Sequence, residues 1–258
     1  MRSLNESVII MLFFFGFLAA FIDAVVGGGG LISIPVLLAA GLPPATAVAT
    51  NKLASTMGAL TSTIAFVRAG KVDFRLAGRL FPLAFIGSIL GALTVQHVSP
   101  DLLKPLILIL LTAVAVYTVF KKDWGSVSTY QKGSGKRAVL FASAILVIGF
   151  YDGFLGAGTG SFMLFAFLLL GFDFIQSAGN AKLLNFGSNI AALLLFLLTD
   201  MVYVTYGLVM GGGMILGALV GSKFAIQKGT SYVRLLFIIV TVSLIGKNVY
   251  DFLSSHFL

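Results

Sequence analysis

Cysteine is absent from this chain of 258 residues. Disulfides, thiolate metal sites and cysteine nucleophiles are therefore excluded, and cysteine usage says nothing of the redox compartment. Histidine occurs only at His97 and His256, too few for a His-clustered metal site or a His-based triad. Glutamate occurs once, at Glu6. Charged residues make up 10% of the chain, against about 25% in an ordinary soluble domain. A soluble fold of this size must cover its surface with Lys, Arg, Asp and Glu, so a soluble globular enzyme is excluded, as is a disordered chain. No G-x-x-x-x-G-K-[ST] phosphate loop and no H-E-x-x-H pair is present, which removes ATP drive and zincin chemistry.

Apolar residues make up 59% of the chain, and mean hydropathy is +1.06. Such a protein has lipid as its main solvent. A membrane-spanning helix needs about 20 apolar residues, which leaves room for about eight to ten spans joined by short loops. The net charge of +8 could suggest nucleic acid, but no basic patch with interleaved aromatics appears. Basic residues of membrane proteins collect in cytoplasmic loops, which accounts for the charge without a nucleic-acid partner. The stretch Val8 to Val26 is too long for a signal-peptide core and reads as a first span.

Apolar segments run over 7–26, 31–40, 45–67, 76–95 and 102–120, and again over 138–157, 161–171, 175–198, 203–222 and 234–253. Segments 31–40 and 161–171 are too short to span. The two sets match in register. Phe21 and Asp23 fall on Phe150 and Asp152 at an offset of 129. Gly28, Gly30 and Gly41 fall on Gly158, Gly160 and Gly171 at an offset of 130, as do Lys52 on Lys182 and Gly87 and Gly91 on Gly217 and Gly221. An intramembrane Asp, an intramembrane Lys and several glycines in one register point to an internal repeat. The expected organisation is a first transmembrane repeat over 1–120, a basic cytoplasmic linker over 121–137 and a second repeat over 138–258. The fold class is all-α polytopic, each repeat having about four full spans plus a short broken helix.

Arg68, Lys71 and Arg75 mark one basic loop, Lys223 and Lys228 another, and the linker a third; loops 96–101 and 199–202 hold no Lys or Arg. Placing the basic loops inside makes the repeats inverted and puts both termini outside, provided the short segments count towards a crossing. Re-entrant short segments, in this count, would instead make the repeats parallel.

Three features carry candidate chemistry. The run Gly27, Gly28, Gly29 and Gly30 and its counterpart Gly156, Gly158 and Gly160 lie between an Asp-bearing helix and a half-helix. Breaks there expose backbone N–H groups at membrane depth, and a half-helix N-terminus suits an anion; tight helix packing is the structural alternative. Lys52 and Lys182 lie within long apolar segments, near Asn51, Ser55, Asn180 and Asn185, with Lys182, Asn185 and Asn189 on one helical face. Two buried lysines would form a cationic pocket, unless they snorkel to the interface. Asp23 and Asp152 are candidates for proton or cation coupling, or for salt bridges to Lys52 or Lys182. Gly213, Gly217, Gly221, Gly87 and Gly91 read instead as close-packing positions, and Tyr117, Trp124 and Tyr250 as interface anchors.

The stretch DAVVGGGGLISIPVLLAAGLPPATAVATNKL, from Asp23 to Leu53, resembles the first motif of the TauE/SafE-type sulfite exporter family, also described as TSUP permeases. The stretch DGFLGAGTGSFMLFAFLLLGFDFIQSAGNAKLLN, from Asp152, resembles its repeated partner. The resemblance implies a multi-pass plasma (inner) membrane protein that moves sulfur-containing or organic anions such as sulfite or sulfoacetate. Nothing among the residues themselves identifies sulfur.

The reading is a secondary transporter of a small anion working by alternating access, with no cofactor or metal and no enzymatic role. Its partners are the anionic substrate and the lipid bilayer. Two alternatives are an intramembrane enzyme using Asp23 and Asp152 as a pair, and a passive anion channel.

Overall fold

The structure is a computed structural model that describes residues 6–99, 102 and 135–228. Among these residues it is all helical. The eight helices are α1 (Glu6–Val26), α2 (Gly30–Ala39), α3 (Pro44–Arg68), α4 (Phe74–Gln96), α5 (Gly135–Phe154), α6 (Thr159–Leu169), α7 (Phe174–Leu198) and α8 (Val204–Lys228). The segments expected at 102–120 and 234–253, most of the linker, and the anchors Tyr117, Trp124 and Tyr250 lie outside the described residues.

Five helices (α1, α4, α5, α7 and α8) are long and apolar enough to cross a membrane. Helix α3 has 25 residues but carries Thr, Asn, Lys and Ser along its length. It tolerates them because Thr50, Asn51, Lys52, Ser62 and Thr63 are buried by protein rather than presented to lipid.

The short helices end by a shared device. Gly41 and Gly171 take positive φ, and the amides of Leu42 and Phe172 reach back to the carbonyls of Leu37 and Phe167. This is the left-handed glycine cap expected where a helix must stop and turn. Asp73 and Asp173 start α4 and α7 by accepting backbone N–H bonds from Arg75 and Leu76, and from Gln176.

Side-chain contacts fix the helix directions. Val8, Leu12, Leu37 and Leu42 share one apolar cluster, so α2 doubles back along α1. Phe141 meets Phe167 edge to face at 5.4 Å, so α6 likewise returns along α5. The short segments are thus returning arms of helical hairpins and do not count towards a crossing as expected above; because each hairpin returns to the face it entered from, its long arm adds no net crossing either, so the count that made re-entrant repeats parallel does not apply. Helix α3 runs against α7: Lys52 lies by Asn189, and Thr63 donates to the Lys182 carbonyl. One face of the bundle therefore carries the ends of α3 and α6 and the starts of α4, α5 and α7; it is called the Asp73 face below. The opposite, Pro43 face carries the starts of α1, α3 and α8 and the ends of α2, α4 and α7.

Close approach holds the bundle together. A methyl added at Gly213 or Gly217 would strike the Phe13 or Phe17 carbonyl of α1, and one at Gly87 or Gly91 would strike the Leu146 or Phe150 carbonyl of α5. These glycines pack helices, as their spacing of four predicts.

Candidate functional site

The two hairpins enter from opposite faces and their tips overlap. The Gly27–Gly30 segment lies against Ala157–Ser161 so closely that a side chain at Gly27 would overlap the backbone of Gly160 and Ser161. One at Gly30 would sit 2.9 Å from the Ala157 Cα. Backbone touches backbone, which requires glycine. Ser161 fastens the contact: its N–H donates to Gly27 O at 3.0 Å and its Oγ to Val26 O at 2.8 Å.

This crossing sets two aspartates at different depths, each opposite a lysine from the other half of the chain. Lys52 Nζ on α3 lies 3.0 Å from Asp152 Oδ1 on α5, and both side chains are buried. Lys182 Nζ on α7 lies 2.6 Å from Asp23 Oδ2 on α1. Neither lysine reaches a surface, so the snorkelling alternative does not hold: Lys52 and Lys182 are 0% and 2% exposed. Nor are they free cations facing a common pocket, since each is neutralised by its aspartate.

The surroundings of the two pairs differ. Asp152 also accepts from Ser188 Oγ at 2.5 Å, and Lys52 donates to Asn189 Oδ1 at 3.2 Å. Asp23 accepts from the Gly29 N–H at 3.3 Å, and its side chain is 22% exposed. At the repeat offset of 130, Ser188 and Asn189 correspond to Gly58 and Ala59, which offer no side-chain polar group. Gly156 also serves the first pair, because a Cβ there would lie 2.6 Å from Lys52 Nζ.

Between the pairs lies a small cavity of about 20 Å³, counted as room for the centres of water molecules. That is enough for about one water. Its wall includes Asp23, Gly29, Gly30, Asn51, Ser55, Asp152, Gly156, Gly160 and Asn185, all expected from the sequence. Asn189, Gly58 and Met214 join it. The N–H groups of Gly30 and Gly160, at the starts of the two half-helices, have no hydrogen-bond partner among the described residues. Asn51 is buried with its Oδ1 unpartnered among them as well.

Other expected site residues sit elsewhere. Gly27, Gly28 and Gly158 shape the breaks without lining the cavity, and Gly158 caps α6 in the left-handed conformation. Lys52 and Lys182 stand behind their aspartates. Asn180 is a fastening residue near the Asp73 face: its Oδ1 accepts the Asp73 N–H at 2.7 Å. Asn189 and Ser188 went unassigned in the sequence, although Asn189 sits on the Lys182 stripe. Among the described residues no group of His, Asp or Glu is placed to hold a metal ion.

A bundle of apolar helices around two broken hairpins, with ion pairs and a polar cavity inside, defines a multi-pass membrane transporter. The chain belongs to the sulfite exporter TauE/SafE family, whose model matches residues 12–247. It is 41% identical over 242 residues to a "Probable membrane transporter protein" of Haemophilus influenzae, covering 93% of this chain and 94% of that one. It is 40% identical over 242 residues to the "Probable membrane transporter protein YfcA" of Escherichia coli K12, covering 93% of this chain and 89% of that one. A "Sulfite exporter TauE/SafE family protein 6" of Arabidopsis thaliana is 29% identical over 117 residues, 44% of this chain and 27% of that one. No solved structure matches the chain at a significant level.

Proposed function

We propose that the protein is a secondary transporter of a small anion, of the sulfite, sulfoacetate or related organosulfonate class, and that it works by alternating access in the plasma membrane. The observation that carries the reading is the cavity flanked by two ion pairs that each join one half of the chain to the other. The cavity as described has room for about one water, so an organic anion would enter it only as the two halves move apart. Breaking either pair would loosen one half against the other on one side of the cavity, which is the requirement of alternating access.

The anion would meet the Gly30 and Gly160 N–H groups at the positive ends of two half-helices, with the amides of Asn51, Asn185 and Asn189 around them. An amide with an unpartnered end, as at Asn51, can turn its NH₂ towards an anion. The lysines act behind the aspartates. When an aspartate takes up a proton, its lysine becomes an unpaired cation beside the cavity, so proton entry and anion binding favour each other. Asp23, the more exposed of the two, is the better placed for this coupling.

The same arrangement speaks against an aspartyl enzyme, since each carboxylate is held by its own lysine. The opposed hairpins and the antiparallel α3 and α7 support inverted repeats, and the basic loops support a cytoplasmic Asp73 face. The test is flux in reconstituted vesicles with sulfite, sulfoacetate, sulfate and small carboxylates under imposed proton gradients. Saturable uptake of a sulfonate or sulfite supports the reading. Non-saturating, voltage-driven flux would identify a channel instead.

A further inference from the structure

We propose that a groove on the Asp73 face, between the first turns of α4 and α5, holds one anionic phospholipid. The groove encloses about 300 Å³ and is lined by Leu76, Arg79, Leu83, Arg137, Ala142 and Leu170, among others. Its polarity is ordered along the membrane normal. Arg137 stands two residues into α5 and Arg79 five residues into α4, both exposed. Leu80 and Phe141, buried at 6% and 8% exposure, form the floor, and Leu170 closes it from the end of α6. Ala142 keeps the α5 wall low. A groove with cations at its mouth and an apolar floor fits one phosphate diester with an acyl chain beneath it, and two guanidinium forks suit that phosphate.

The arginines are free to take such a partner. Neither has an ion pair or hydrogen bond among the described residues. Among the described residues, the acidic side chains of this face, Asp73 and Asp173, are engaged in capping α4 and α7. Arg68, Lys71, Arg75 and Lys136 add to the positive field around the mouth. Anionic lipids are drawn to basic pockets of this kind between membrane helices.

The experiment is native mass spectrometry of the intact protein released from mixed phosphatidylglycerol and phosphatidylcholine micelles. Wild type should retain one phosphatidylglycerol in preference to phosphatidylcholine by about tenfold, and R79Q/R137Q should lose that preference. Equal retention of the two lipids by wild type would overturn the proposal, as would a variant that keeps the preference. Ala142→Trp fills the groove with both arginines in place and should also lose the bound lipid; retention there overturns it equally. Thermal stabilisation by inorganic phosphate matching that by phosphatidylglycerol would show a free-anion site and contradict it too. None of these readouts depends on transport.

Discussion

Lys52 and Asp152 form a fully buried ion pair, 3.0 Å apart, that ties the third helix to the tip of the opposite hairpin. Two charges so placed are costly to desolvate and tolerable only together. Lys52→Met or Asp152→Asn alone should destabilise the protein by about 3–5 kcal/mol, since each strands a buried charge or removes its partner. The double variant should recover much of that loss. Thermal unfolding in detergent measures it, and a double variant no better than the worse single one would show that the pair is not coupled.

The two pairs differ in exposure and in their further partners. Asp23 borders the cavity with 22% of its side chain exposed, whereas Asp152 is held by both Lys52 and Ser188. Asp23→Asn should leave a folded protein whose flux no longer responds to an imposed proton gradient. Asp152→Asn should act mainly on folded yield. Flux assayed with and without a pH gradient distinguishes them, and an undiminished proton response in Asp23→Asn removes that residue from coupling.

Glycine substitution should sort by contact. At Gly156, φ is +82°, and a Cβ would lie 2.6 Å from Lys52 Nζ. Gly156→Ala should therefore lower both stability and flux. Gly78 is helical with nothing within 4 Å, so Gly78→Ala should be neutral or stabilising, by up to about 1 kcal/mol. Equal losses in both variants would contradict the tight fit of Gly156 against Lys52.

How much of this was legible in the sequence depends on the kind of relationship. Among the described helices the ends fell within three residues of the apolar segments, because Gly, Pro and charge punctuate them, except that α8 runs on to Lys228, six residues past 222; the cap pair Gly41 and Gly171 sits at matching repeat positions. The breaks at Gly27–Gly30 and Gly156–Gly160 were legible for the same reason. The exchange of partners between halves was not: which lysine meets which aspartate depends on the hairpins overlapping, a fact of tertiary packing. Asn180 stands off the cavity wall, a placement its spacing makes legible. It stands two residues from Lys182, about 200° around the helix, and so faces away from the site. Asn189, seven residues on, shares the Lys182 stripe and lines the cavity, where it serves Lys52 instead.

The absence of cysteine makes the topology directly testable, since any introduced thiol stands alone. Arg75→Cys and Lys136→Cys should react with a membrane-impermeant maleimide from one side of the membrane, and Ser99→Cys and Thr199→Cys from the other. Labelling Arg75→Cys and Lys136→Cys from opposite sides would refute the shared Asp73 face.

The central claim is that anions pass through the cavity between the two ion pairs. Its most direct test is sulfite or sulfoacetate uptake into proteoliposomes by wild type and by Asn51→Ala/Asn185→Ala, which alters the cavity wall and leaves both ion pairs intact. The account predicts saturable uptake by wild type and a fall of about tenfold or more in a variant that still unfolds at the wild-type temperature. Equal uptake by the two proteins would place the anion path elsewhere and contradict it.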